Sequence, residues 1–156
     1  MLSKPCHGWT VVQIGPDSIG TASYIEDVPL DLLDTFIAYF NQKTKYLPFS
    51  FVFDAEGSHF GIIEFNDEIY YTTTEADAEE YIMKPINPDC IGLTWFERSD
   101  KVLKKLASDI INDIKTYITE WVYWMDDEDT LGKTEAKCRK EMLLNKCDEL
   151  EKLITV

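Results

Sequence analysis

The 156-residue chain carries 29 Asp and Glu against 15 Lys and Arg, a formal charge of −14. Such a field repels phosphate, which argues against direct nucleic-acid binding and against attachment to an anionic membrane surface, both of which draw their affinity from Lys and Arg. It leaves two readings open, plain solubility and a cationic partner.

At 45% apolar and 13% aromatic residues, the composition is that of a folded chain, and the length suits a single domain over residues 1–156. No apolar run approaches the ~18 residues of a membrane span, and the first residues lack the hydrophobic stretch of a signal peptide, so a cytoplasmic location is expected. Cys6, Cys90, Cys138 and Cys147 are too few for a disulfide scaffold at this length and read as reduced, small apolar fillers.

Residues 9–14, apolar and β-branched, read as a first strand ending at Gly15-Pro16-Asp17, with 21–26 as its hairpin partner. Asp27 is placed to cap a helix over 28–42, where Pro29 is tolerated in the first turn and Leu30, Leu33, Ile37 and Phe40 form a stripe. Residues 49–54 and 59–65 flank the turn Ala55-Glu56-Gly57-Ser58, and Asn66-Asp67-Glu68 turns into a third strand at 69–73. An antiparallel meander joined to the first hairpin follows. Thr74 and Asp77 open a short helix to about residue 83, ended by Pro85 and Pro88, and 91–96 is a final strand or part of the core wall.

From Ser99 the pattern predicts the longest helix, to Met125. Val102, Leu106, Ile110, Ile114, Tyr117, Ile118, Trp121, Trp124 and Met125 fall within an arc of roughly 160°, and Ile111 and Val122 widen it to roughly 200°. So broad an apolar face needs a sheet and a second element, or a partner. A last helix over 134–153, with Ala136, Leu143, Cys147, Leu150 and Ile154 on one face, supplies that element as a helical hairpin. The fold class expected is α+β: an antiparallel sheet with a packed N-terminal helix in 1–96, then a long helical hairpin in 97–156.

Asp126, Asp127, Glu128 and Asp129 form the densest charge run. Aligned as an EF-hand from Asp127, the run puts Leu131 and Cys138 where oxygen ligands are required, so calcium is not expected. The cysteines are not paired at zinc spacing, and Gly15 to Gly20 lacks the Lys-Ser/Thr ending of a phosphate loop, so no metal, cofactor or catalytic residue is assigned. Adjacent Cys6 and His7 are poorly placed to serve each other as nucleophile and base. Tyr123 lies off the apolar arc beside the acidic run and reads as an aromatic contact, whereas Trp121 and Trp124 read as core. Asp54, Glu56 and His59 surround the second hairpin tip as an alternative surface, with acid–base chemistry as one meaning and plain turn chemistry as the other.

The segments 28–34 (Val-Pro-Leu-Asp-Leu-Leu-Asp) and 51–60 (Phe-Val-Phe-Asp-Ala-Glu-Gly-Ser-His-Phe) resemble small bacterial toxin-immunity proteins over about the first half of the chain. The resemblance implies a small cytoplasmic binder that blocks a cognate toxin, often a nuclease. The expected function is an acidic, immunity-like or phage-type anti-defence inhibitor. Such a protein masks a basic site on a toxin, nuclease or defence effector through Tyr123, Asp126, Asp127, Glu128 and Asp129, or through Asp54, Glu56 and His59. A carboxylate- or His-dependent enzyme and a structural homodimer subunit are the alternatives.

Overall fold

The structure, a computed structural model, describes residues 1–41, 48–72 and 93–155. The helix expected at 74–83 and Cys90 lie outside the described residues. In chain order the elements are β1 (Trp9–Ile14), β2 (Asp17–Ser23), α1 (Val28–Asn41), β3 (Ser50–Asp54), β4 (His59–Phe65), β5 (Glu68–Thr72), β6 (Leu93–Arg98), α2 (Ser99–Thr116), α3 (Ile118–Val122) and α4 (Lys133–Thr155).

The strands form two antiparallel sheets, β1-β2 and β3-β4-β5-β6. Turn chemistry sets the registers. Ile14 pairs with Asp17 across Gly15-Pro16, where Gly15 takes the positive φ of 58° that the first position of a II′ turn demands. Asp54 pairs with His59 and Phe65 with Glu68. Their tips put Glu56 and Gly57, then Asn66 and Asp67, at positive φ, the I′ pattern that matches the strand twist. Residues 1–6 add an edge to the first sheet, with Leu2 bridged to Val12 and the Ser3 amide bonded to the Val11 carbonyl at 2.9 Å.

Cross-strand register places Phe51, Phe53, Phe60, Ile62, Ile69 and Tyr71 on one face of the larger sheet, and all six belong to the main hydrophobic cluster. The first hairpin was expected to join this sheet. It packs against its face instead: a Cβ at Gly20 would sit 2.7 Å from the Phe60 ring, so β2 approaches that ring as only glycine allows.

Helix α1 buries Val28, Leu32, Leu33, Phe36 and Ile37, a stripe turned from the one expected, with Leu30 and Phe40 only half-buried at its margin. The predicted single helix over 99–125 is two. It breaks at Tyr117, whose φ of −111° and ψ of 34° leave the helical region. Three β-branched neighbours, Thr116, Ile118 and Thr119, weaken the helix there. Consequently α4, with 23 residues against 18 in α2, is the longest described helix. It lies across α1 and α2, inserting Leu143, Cys147 and Leu150. The wide apolar arc of α2 is thereby buried within the chain, between sheet, α1 and α4. No described helix is long and apolar enough to cross a membrane.

Candidate functional site

The connector that leads from the last residue of β2 into α1, residues 23–27, touches both surfaces that the sequence singled out. On one side Ser23 donates to the Glu56 carboxylate at 2.7 Å, and Asp54 accepts from the Glu56 amide at 2.6 Å. His59 Nε2 lies 3.7 Å from Asp54 Oδ2, beyond hydrogen-bond length. Glu26 is close by. Its carboxyl is pushed above the usual range, first by burial and then by the charge of Asp54, against the pull of an Asp54 backbone hydrogen bond and of His59.

The same connector closes on the C-terminal helices. Trp124 donates its indole N–H to the Glu26 carbonyl at 2.8 Å, and Arg139 of α4 grips Asp27 bidentately at 2.6 and 2.7 Å. The Asp27 side chain, expected as a simple helix cap, therefore serves as the carboxylate half of a part-buried ion pair linking α1 to α4.

Trp124 also borders a cleft of about 590 Å³, walled by residues 5–8, Tyr24, Thr119 and Glu120 of α3 and residues 123–128 of the following loop. The far wall is the N-terminal arm. Cys6 and Trp9 exchange backbone hydrogen bonds of 2.9 and 3.0 Å around a His7-Gly8 turn with φ of 50° and 78°, again the I′ pattern. Gly8 accepts from the Tyr24 amide at 2.8 Å. A Cβ on Gly8 would fall 2.6 Å from the Tyr24 ring, so the glycine seats that ring.

The floor is aromatic and apolar. Trp124 is buried, Tyr123 is half-buried, and Tyr24 and Met125 stand 47% and 38% exposed beside Ile25 at 56%. Exposed apolar side chains gathered at a concavity mark a contact surface. Carboxylates form the rim. Glu120 is paired with Lys4 Nζ at 2.8 Å, which holds its carboxyl below the usual range. Asp127 accepts from the Thr130 hydroxyl at 2.6 Å and the Thr130 amide at 2.8 Å, and these bonds lower its pKa. Asp126 and Glu128 have no side-chain hydrogen bond or ion pair among the described residues.

Of the residues singled out in the sequence, Tyr123, Asp126, Asp127 and Glu128 share this cleft, whereas Asp129 is exposed outside it. Asp54, Glu56 and His59 line a separate surface across the connector. Tyr24, Met125, Glu120 and the Cys6-His7 turn were not anticipated. The one available signal was Tyr24-Ile25, an apolar pair where a strand gives way to a helix start. Met125 was assigned to the core arc, but α3 ends at Val122, so Met125 falls in the following loop and is 38% exposed.

A second depression, near the end of α4, is bordered by Asp148, Glu151, Lys152 and Thr155. Lys115 lies 2.9 Å from both of its acids. Beneath it, burial pushes the Cys147 thiol up to about 11, so it is inert, while Cys6 and Cys138 are exposed. Among the described residues no group of His, Cys, Asp or Glu is arranged to hold a metal ion. Comparison of the chain with family models, curated proteins and solved structures finds no match.

Proposed function

We propose that the chain is an acidic protein-binding inhibitor, immunity-like or anti-defence in type, that masks a basic site on a partner protein with the cleft at 119–128 as its contact surface. One observation carries this reading. Asp126 and Glu128, carboxylates without a partner among the described residues, line a cavity together with exposed Tyr24 and Met125 and half-buried Tyr123, which combines long-range attraction with short-range apolar contact. The Asp54–His59 pair supports an acid–base enzyme less well, because its atoms lie beyond hydrogen-bond reach and outside the cleft.

The test is kinetic binding to a basic partner recovered from native lysate, measured across salt concentrations. Exposed charges are screened over about 10 Å at 0.1 M salt, so association should slow steeply as salt rises. The Asp126→Asn, Glu128→Gln double variant should slow it several-fold at low salt while leaving dissociation nearly unchanged. Asp127 stays untouched in this variant because it builds the turn. Salt-independent association, or an unaltered rate in the double variant, rules the reading out.

A further inference from the structure

We infer that the cleft is selective for arginine over lysine, taking one guanidinium with its alkyl stem from an exposed segment of the partner protein. This rests on the binding reading above and narrows it to a side-chain chemistry.

Three features of the cleft carry the argument. First, its floor offers aromatic faces, Tyr24 at 47% exposure and half-buried Tyr123 beside buried Trp124. A guanidinium is planar and weakly hydrated, so it stacks on such rings with little desolvation cost, whereas a compact ammonium holds its water. Second, carboxylates line the same cleft as those rings. Glu120 already holds an ammonium, that of Lys4 at 2.8 Å, and the Asp127 carboxylate is engaged by Thr130, which leaves Asp126 and Glu128 as acceptors. A guanidinium carries five donors in a fixed fork and can serve carboxylates while its face rests on a ring. Third, about 590 Å³ lies within the roughly 300–1,000 Å³ of sites that enclose organic groups. That exceeds what a charged tip needs, and Met125 and Pro5 supply apolar wall for the stem.

Tyr24 is placed to decide the selectivity. Its ring is seated by Gly8 and lines the same cleft as the acids, so under this assignment a guanidinium that pairs with Asp126 or Glu128 stacks on it.

The experiment titrates the full chain with two short Gly-Ser peptides, identical except for a central Arg or Lys, and follows backbone amide shifts and dissociation constants at low salt. The Arg peptide should bind about tenfold more tightly, with shifts centred on residues 24 and 119–128. Tyr24→Leu should erase the difference by weakening the Arg peptide alone, and Tyr24→Phe should keep it. A merely structural role for Tyr24 would weaken both peptides together, and that result overturns the assignment. Equal affinities with shifts in the cleft also overturn arginine selectivity, yet they leave the basic-partner reading standing. Shifts confined to the tip at 54–59, or none for either peptide, overturn both.

Discussion

The connector at 23–27 has a closed side and an open side, and the two use the same residue types to opposite ends. On the closed side Asp27 and Arg139 meet bidentately at side-chain exposures of 19% and 14%, and Trp124 bonds the Glu26 carbonyl. Charge there is neutralised locally and fixes how α1, α3 and α4 sit. On the open side Tyr24 and Met125 remain 47% and 38% exposed, and the carboxylates of Asp126 and Glu128 have no partner among the described residues. Residue type alone does not separate the two sides; what separates them is whether each polar group has a partner among the described residues.

The largest effect expected from breaking this contrast lies on the closed side. Arg139→Ala leaves the Asp27 carboxylate part-buried and unpaired. A fully buried pair loses about 3–5 kcal/mol when broken, and the remaining exposure reduces this to about 2 kcal/mol, or roughly 4–8 °C in melting temperature for a chain of this size. Asp27→Leu combined with Arg139→Met should recover most of the loss, because no orphaned charge remains. Calorimetry on the single and double variants checks it, and an unchanged melting point for Arg139→Ala would show that the pair does not hold the helices.

Gly8→Ala comes next and acts on the open side. A left-handed φ at an L-residue costs roughly 1–2 kcal/mol, and the new Cβ would press the Tyr24 ring at 2.6 Å. Gly8→Asn separates the two causes, because asparagine tolerates the backbone but keeps the Cβ. If seating the ring is what matters, urea denaturation should show Asn recovering little of the loss seen with Ala; if the backbone dominates, most of it.

The smallest effects are in pH dependence, where the two sides have opposite signs. Glu26 has a folded pKa raised by burial, so the folded state holds its proton more tightly. Stability from this group is present below the ordinary Glu value and lost as pH rises through the folded one. Asp127 has a folded pKa lowered by the hydrogen bonds of Thr130, so its contribution is present above the ordinary Asp value and lost as pH falls through the folded one. Unfolding curves from neutral to acid pH should show Glu26→Gln losing the mild-acid gain and Asp127→Ala losing part of the acid decline. Reversal of either sign would mean that the side chain's surroundings differ from those described.

Much of the architecture was legible because it rests on local chemistry. Glu56-Gly57 and Asn66-Asp67 are turn residues by backbone preference, and the alternating Phe51, Phe53 and Phe60, Ile62 declare their face before any partner is known. What stayed illegible depends on contacts distant in sequence. Asp27 reads as a cap until Arg139, 112 residues on, arrives beside it. Whether the first hairpin extends the sheet or packs over it turns on Gly20 meeting Phe60, which no periodicity encodes. Tyr123, Asp126, Asp127 and Glu128 could be grouped from the sequence because charge and ring are adjacent there, although Asp129 lies outside the cleft. Tyr24 was missed because its share of the cleft exists only once the His7-Gly8 turn folds back.

The Trp121 and Trp124 rings lie with centroids 5.2 Å apart and planes inclined by 53°, one sealed in the core and the other bordering the cleft. Chromophores so close and so tilted share their excited state, which gives a signed couplet in ultraviolet dichroism that depends on their mutual angle. Since the Trp124 indole is also tied to the Glu26 carbonyl, any change in the connector's position would alter that angle and the emission colour together. The molecule thus carries its own optical gauge of the connector's position, readable without any attached dye.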